Sequence, residues 1–317
     1  MFPSNVAYIN PVQPWISSYA KATDNSGSRA HSKIRDILIL AKVRVNALVV
    51  ATTAGGYYMG ARESIDLGVL ALAAIGTALV ASGAAAINQV TERDLDRLMV
   101  RTRTRPLADG RMTVAEGAWI SGALAAAGLL ILWLTTNAVA TIVAFATLVS
   151  YAAVYTPLKR RTSLSTVVGA VPGALPPMIG WAAAANSVAG VAPWSLFLIM
   201  FFWQLPHFLA IAWIYREDYG RAGMPMLPVV DKLGAVTGRQ SALWAASLVP
   251  FSQLPYLLGM SNAVYAVSAL ALGIAQFALA VAFARHRSEA NARRLFVASI
   301  IYLPLLWILL AIGKQWH

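Results

Sequence analysis

The 317-residue sequence contains no cysteine, and only 12% of its residues are charged. The missing thiols exclude disulfides and thiolate metal sites. The scarcity of charge excludes an ordinary soluble domain, because such domains carry about 25% charged residues. The sequence also lacks a Walker loop, a Gly-x-Ser-x-Gly elbow and a His-x-x-x-His zinc pair. Apolar residues dominate instead, at 58% of the chain.

The apolar residues form runs long enough to cross a membrane. We predict an all-α, polytopic membrane protein in which about nine transmembrane helices surround a central cavity. The fifth predicted helix contains Pro172, Pro176 and Pro177, so we expect it to be kinked. The nine predicted spans are Ile37–Tyr58, Leu67–Ile87, Val114–Leu134, Val139–Tyr155, Leu164–Ala184, Trp194–Tyr215, Leu243–Leu258, Val264–Ala284 and Leu295–Ile312.

The net charge of +12 follows the predicted topology. With nine spans, every Lys and Arg except Arg62 and Lys314 falls on one side, in agreement with the positive-inside rule. We therefore expect a bacterial inner-membrane protein with a cytoplasmic N-terminus, an external C-terminus and no nucleic-acid partner. Residues 1–33 lack an apolar signal core and predict a disordered tail before a transmembrane domain at residues 34–317. A transit peptide is the weaker alternative, because the tail has few Arg.

A polar face stands at the end of the second apolar run. Asn88, Glu92 and Asp96 are spaced i, i+4 and i+8, so on a helix they share one face, here called the acidic face. Carboxylate and amide oxygens suit Mg²⁺, and the arginines that follow can neutralise phosphate oxygens. We predict a site that binds a metal ion and a diphosphate together. The alternative is a solvated helix end with ordinary i,i+4 ion pairs.

A second acidic-basic cluster, at residues 216–221, follows the sixth span, four spans after the first cluster. This weak repeat predicts two four-helix halves plus one helix, with both clusters facing a shared cavity. Taken alone, Glu217 and Asp218 also fit an ordinary loop. Lys159 and Arg160 equally fit basic residues that serve only the positive-inside topology.

His207 lies inside the sixth predicted span, eight residues before Tyr215 and therefore roughly 12 Å from the helix end. An ionisable side chain at that depth is a functional candidate. It can bind a metal or haem iron, transfer a proton or hydrogen-bond a substrate. The alternative is a neutral histidine that bonds a neighbouring helix. We expect His207 and Asn88 to line the same cavity.

Five segments carry a resemblance to a known family. The first reads Asn88-Gln89-x-x-Glu92-x-x-x-Asp96, followed by Arg105-Pro106-Leu107. The others begin at Tyr155-Thr156, Gly173-Ala174, Trp203-Gln204 and Asp218-Tyr219. Together they resemble the intramembrane (UbiA-type) prenyltransferases, and within them the branch that farnesylates haem. In the wider family Asp is commoner where Gln89 and Glu92 stand.

The resemblance implies a reaction. Farnesyl diphosphate, bound through Mg²⁺, would ionise to an allylic cation, and a vinyl group of haem b would attack it to give haem O. Both substrates are amphiphiles, so the lipid bilayer is a plausible route for them. A downstream haem A synthase or oxidase assembly factors would be the protein partners.

The resemblance also implies residue roles. The implied catalytic and metal-binding residues, which offer carboxylate or amide oxygens, are Asn88, Glu92, Asp96 and Asp218, the last of these for a second Mg²⁺. The implied diphosphate ligands, which share a positive charge, are Arg101, Arg105, Lys159 and Arg160. The implied haem contacts are His207 and, near it, Gln204.

Other classes of protein remain open at this point. A prenyltransferase for another aromatic acceptor, such as a quinone precursor, would share the acidic face, although His207 and residues 218–228 argue against it. A transporter also has broken helices and buried polar groups, but it should not release diphosphate. A purely structural membrane protein would have little use for a clustered acidic face.

Overall fold

The computed structural model describes residues 33–316, and all regular elements in that range are helices. The predicted tail therefore lies, except for Lys33, outside the described residues. A π-helical segment, Ser150–Tyr155, lies between the helices Ala138–Val149 and Thr156–Leu158. The helices are α1 (Lys33–Leu40), α2 (Val43–Gly60), α3 (Leu67–Leu98), α4 (Val114–Thr135), α5 (Ala138–Val149), α6 (Thr156–Leu158), α7 (Ser165–Ala174), α8 (Pro176–Ala185), α9 (Val191–Ile214), α10 (Arg216–Arg221), α11 (Leu227–Val230), α12 (Ala235–Phe251), α13 (Leu254–Leu257), α14 (Ala263–Arg285) and α15 (Glu289–Ile312).

Within the described range, seven helical runs are long and apolar enough to cross a membrane. The number becomes eight if α1 and α2, a pair bent by 55°, count as one span. The expectation of an all-α polytopic membrane protein is confirmed, whereas the count of nine spans is not. Large apolar side chains such as Trp119, Leu134 and Ile142 are exposed on the outer helix faces, as contact with lipid requires.

The first predicted span is broken because the chain turns between α1 and α2. Lys42 stands in the left-handed region with φ of 49°, which ends α1 before α2 begins. Gln89 of α3 stabilises the turn between α1 and α2. Its Nε2 donates a 2.7 Å hydrogen bond to the Leu40 carbonyl, one of the carbonyls left unpaired at the end of α1. Gln89 thus holds the backbone of α1.

Proline interrupts two other predicted spans. The fifth is divided at Leu175, where Pro176 begins α8, because a proline has no N–H to continue the hydrogen bonds of α7. The seventh is divided into α12 and the four-residue α13, with Pro250 and Pro255 on either side of the gap. Neither α12 nor α13 is by itself a membrane span in the described range.

Close helix packing holds the molecule together. α2 packs against α3 and α8, α3 against α4, and α9 against α7, α12 and α15. The contact of α2 with α8 is between backbones: a Cβ on Gly180 would lie 1.8 Å from the Thr53 carbonyl oxygen. Small residues allow such approaches between membrane helices.

The two ends of the helices differ. Residues 99–113, 159–164 and 215–234 form long connections at one end, here called the long-loop side. At the opposite side the chain terminus ties two helices together. Lys314 Nζ donates hydrogen bonds to the carbonyls of Tyr58 (2.5 Å) and Ala61 (2.6 Å), at the end of α2. The same ammonium lies 3.6 Å from the ring centroid of Trp316.

Candidate active site

The acidic face exists because α3 continues beyond its apolar part. α3 is 32 residues long, and Asn88, Glu92 and Asp96 lie on its last turns. Their side chains are buried, with exposures of 2%, 3% and 1%. Asn88 Nδ2 donates a 2.8 Å hydrogen bond to Glu92 Oε2. A solvated helix end would leave these groups exposed, so the burial argues against ordinary surface ion pairs.

Each carboxylate of the acidic face has a cation as its partner. Lys159 Nζ lies 2.5 Å from Glu92 Oε1 and donates to Asn88 Oδ1 at 2.8 Å. Arg105 Nη1 donates to both carboxylate oxygens of Asp96, at 2.9 and 2.8 Å. Buried charges are tolerated when they are paired, so these contacts hold both cations on the acidic face. Lys159 and Arg105, two of the four predicted diphosphate ligands, therefore lie against the acidic face.

Asp218 joins the second cluster to the first. Its two carboxylate oxygens accept hydrogen bonds from the backbone N–H groups of Val100 and Arg101, each at 3.3 Å. Asp218 also forms an ion pair with Arg221. Asp218 is buried, whereas Glu217 beside it is exposed. Asp218 is consequently the acidic residue of the second cluster that reaches the loop after α3.

The other two predicted diphosphate ligands lie beside the acidic face. The Arg101 guanidinium stands 5.1 Å from the ring centroid of Tyr215 and donates to the Tyr219 hydroxyl at 3.4 Å. Arg160 is exposed, and its Nη2 donates to the Thr91 carbonyl at 2.5 Å. Among the ion pairs of the described residues, neither arginine is paired with the acidic face.

A cavity of about 350 Å³ lies between the helices. Its wall is mostly apolar and comes from α2, α3, α5, α7, α8, α9 and the π-helical segment. Ala84 and Ala85 of α3 belong to this wall, one turn before the acidic face. Tyr155 also lines it, and the Lys159 ammonium stands 4.9 Å from the Tyr155 ring centroid. The cavity therefore ends next to the carboxylates and their cations.

His207 and Gln204 both line this cavity. His207 Nδ1 lies 2.7 Å from the Ser299 hydroxyl of α15, and its ring stacks on Trp203 with centroids 5.1 Å apart. Gln204 Nε2 donates a 2.7 Å hydrogen bond to the Ala170 carbonyl. The Gln204 nitrogen thus ties α9 to α7, and its side chain stands close to His207.

Asn88 is not in the cavity wall, in contrast to our expectation that it would share a cavity with His207. Ala84, one turn earlier on α3, lines the cavity instead. The amide oxygen of Asn88 accepts hydrogen bonds from Lys159 Nζ and from Thr156 Oγ1, the latter at 3.3 Å. These bonds enclose the side chain within the polar cluster.

Several polar residues near the cavity were not predicted, and Asn46 and Ser299 are two of them. Asn46 lines the cavity and donates hydrogen bonds to the Ala41 carbonyl and the Ser82 hydroxyl, both at 2.9 Å. A single amide inside an apolar span is a signal that could have identified it. Ser299 gave no such signal, because a serine in a membrane helix commonly bonds its own backbone.

The oxygens of the acidic face suit Mg²⁺. This ion is usually bound by one or two carboxylates together with substrate phosphates and waters. Glu92 and Asp96 supply two carboxylates one helical turn apart, with the Asn88 amide beside them. The described residues contain no group of three or more His, Cys, Asp or Glu arranged around a metal position. The site thus fits a metal ion that a diphosphate helps to hold.

Comparison with known proteins identifies the family. Residues 48–309 match the UbiA prenyltransferase family. The protoheme IX farnesyltransferase of Solibacter usitatus (strain Ellin6076) is 43% identical over 290 residues, covering 89% of this chain and 99% of the relative. The protoheme IX farnesyltransferase of Koribacter versatilis (strain Ellin345) is 39% identical over 293 residues, covering 89% of this chain and 94% of the relative.

Two solved structures share the fold. A digeranylgeranylglyceryl phosphate synthase matches with a TM-score of 0.74 at 18% identity, over 89% of this chain and 98% of that chain. A UbiA homolog from Archaeoglobus fulgidus, bound to GPP and Mg²⁺, matches with a TM-score of 0.63 at 17% identity, over 87% of this chain and 99% of that chain. Sequence and fold together show that the chain belongs to the UbiA prenyltransferase family, in the branch of the protoheme IX farnesyltransferases.

Proposed function

We propose that this protein transfers the farnesyl group of farnesyl diphosphate to a vinyl group of haem b and so forms haem O, a step toward haem A. The observation that carries the proposal is a buried set of carboxylates and cations at the end of an apolar cavity that has His207 in its wall. The similar proteins of S. usitatus and K. versatilis bear the name of this activity.

The first chemical event is departure of diphosphate. The C1–O bond of farnesyl diphosphate breaks, and the diphosphate leaves with the electron pair. Positioned cations stabilise the negative charge that develops on its oxygens. Lys159 and Arg105 are the nearest to the acidic face, with Arg101 beside them and Arg160 as an outer, weaker contact.

The acidic face would hold the metal ion. Asn88, Glu92 and Asp96 would supply its oxygens, and Asp218 would supply those for a second ion. Mg²⁺, when bound, adds positive charge that stabilises the departing diphosphate. The ammonium of Lys159, which pairs with Glu92, would be available to the diphosphate as a second anionic partner.

The second event joins the two substrates. The π electrons of the haem vinyl group attack C1 of the farnesyl cation and form a C–C bond. A water molecule adds to the cation left beside the porphyrin and loses a proton, which gives the hydroxyethylfarnesyl group. The apolar wall of the cavity keeps water from the farnesyl cation until the vinyl group has attacked.

The haem acceptor is held by His207, with Gln204 near it. Farnesyl diphosphate and haem b are both amphiphiles, so they would reach the cavity from the bilayer. The proposed location is the bacterial inner membrane, with the long-loop side and the N-terminus in the cytoplasm. A haem A synthase or oxidase assembly factors would receive the product.

Mass spectrometry of the products tests this function. Purified protein is given farnesyl diphosphate and Mg²⁺ with either haem b or 4-hydroxybenzoate. We expect haem b to gain one farnesyl group plus one water, and Glu92→Gln to abolish the gain. Prenylation of 4-hydroxybenzoate in place of haem would assign the protein to another aromatic acceptor. Absence of any diphosphate release would contradict a prenyltransferase.

A further inference from the structure

Ser299 of α15 is the one described residue that hydrogen-bonds both Trp203 and His207, two of the aromatic rings that α9 contributes to the cavity wall. Its backbone carbonyl accepts a 2.8 Å hydrogen bond from Trp203 Nε1, and its hydroxyl lies 2.7 Å from His207 Nδ1. Trp203 and His207 are four residues apart, so their rings stack on the same face of α9. α15 thereby fixes the position of both rings.

The hydroxyl of Ser299 decides which nitrogen of His207 carries the proton. Ser299 Oγ is 2.6 Å from the Phe296 carbonyl and 2.7 Å from His207 Nδ1. A hydroxyl has one proton to donate, and a carbonyl can only accept. Both short contacts are hydrogen bonds in one arrangement: the Ser299 proton goes to Phe296, and Nδ1–H of His207 donates to Ser299 Oγ.

This arrangement leaves Nε2 of His207 with its lone pair. In a neutral imidazole, a proton on Nδ1 makes Nε2 the acceptor or metal ligand. Nε2 has no hydrogen-bond partner in the part of the chain that the structure describes. It is also not among the polar atoms sealed in the interior without a partner. His207 lines the cavity, so the free lone pair is open to a ligand there.

The ring cannot easily turn to another orientation. Trp203 stacks on it at 5.1 Å, and the Phe296 ring stands 5.0 Å from it. A histidine that ligates a metal usually donates its other N–H to a fixed acceptor, which sets the tautomer and strengthens the ligand. The contacts of His207 have this form.

We propose that Ser299 is a positioning residue, which holds His207 as the Nδ1–H tautomer so that Nε2 can bind the iron of the haem substrate. The proposal rests on the proposed function, because it takes haem as the occupant of the cavity. It assigns to α15 a part in acceptor binding that its sequence alone did not indicate.

Haemin titration of purified protein in detergent tests the role of Ser299. We expect Ser299→Ala to weaken haemin binding about tenfold or more, the usual effect of removing such a partner. Ser299→Thr keeps the hydroxyl and should restore wild-type binding. Ser121→Ala is the matched control, because Ser121 is equally buried and its hydroxyl bonds only the Gly117 carbonyl.

The iron–histidine stretching band of the ferrous complex separates positioning from general stability. In Ser299→Ala this band should move to lower frequency, since the donor loses the hydrogen bond that strengthens it. If Ser299→Ala binds haemin like wild type with an unshifted band, the proposal is wrong. If His207→Ala also binds haemin like wild type, the haem contact itself is wrong.

A measurement on the wild-type protein decides the matter if Ser299→Ala does not fold. In protein labelled with ¹⁵N in its histidine rings, the ¹⁵N chemical shift distinguishes a protonated from an unprotonated ring nitrogen. The signals of His207 are those that vanish in His207→Gln. A protonated Nδ1 and a bare Nε2 support the proposal, and the reverse overturns it. Failure of wild type to form haem O would instead refute the proposed function, whatever the tautomer.

Discussion

Two lysines at opposite ends of the helices make different kinds of contact. Lys314 donates to two backbone carbonyls at the end of α2 and lies against an aromatic ring. Lys159 lies against the Glu92 carboxylate and the Asn88 amide. No group of the proposed substrates competes for these carbonyls, so we expect the Lys314 contact to be permanent. A carboxylate can pass from an ammonium to a metal ion, so the Lys159 contact is exchangeable.

The difference separates stability from chemistry. At the opposite side, the fold is held by contacts that no substrate can replace. At the long-loop side, several charged side chains are held by partners that a diphosphate and its metal ion would redistribute. Substitutions at the two ends should therefore change different measured quantities.

The largest expected effect is that of Asp96→Asn. The substitution keeps the shape but removes a buried carboxylate that Arg105 pairs with and that Mg²⁺ would use. We expect haem O formation to fall by about 10³-fold, as when one preorganised electrostatic group is lost. Asp94→Asn is the matched control, because the Asp94 side chain is 68% exposed on the same helix. Equal activities in the two variants would contradict the assignment of the acidic face.

A smaller effect is expected for Lys159→Gln. The variant loses the ammonium that we propose binds the diphosphate, so kcat/KM for farnesyl diphosphate should fall by about 10²-fold. Arg161→Gln, at an exposed neighbouring position, should stay close to wild type. Steady-state kinetics with varied farnesyl diphosphate is the measurement. An unchanged kcat/KM would mean that the Lys159 contact is as permanent as that of Lys314.

The smallest effect is expected for Lys314→Met, and it should appear in stability alone. Two hydrogen bonds to the end of α2 are lost near the membrane surface, where water can replace part of them, so the cost is about 1 kcal/mol. The thermal midpoint in detergent should fall, while activity per folded molecule is kept. Arg62→Met, at an exposed position on the same side, is the control. A loss of turnover without loss of stability would refute the division between the two ends.

The acidic face was predictable because a helix converts sequence spacing directly into position. Asn88, Glu92 and Asp96 needed only the i, i+4 rule to be placed together. Their cations were only partly predictable, because Lys159 and Arg160 are neighbours with the same charge and only one of them turns inward. Which of the two side chains points inward depends on how the π-helical segment orients the chain relative to α3. The local sequence does not determine that orientation.

The span count was less predictable, for backbone reasons. An apolar run does not show where a chain adopts the left-handed conformation, and Lys42 does so within the first predicted span. Gln89 stands where Asp is commoner in the wider family, and its amide binds a carbonyl of α1. Ser299 lies 92 residues from His207, and only the packing of α15 on α9 brings them together.

The length of α3 sets a depth scale for the reaction. From Leu67 to Glu92 the helix rises about 38 Å, or about 35 Å across the membrane at an average tilt of about 20°. That distance exceeds the hydrocarbon thickness of about 30 Å, whereas the cavity residues Thr77 to Ala85 lie within it. On this scale the carboxylates of Glu92 and Asp96 would lie at the depth of the lipid headgroups, where magnesium and diphosphate stay hydrated. The farnesyl chain would extend into the apolar cavity, so α3 would separate the two parts of a single substrate by polarity.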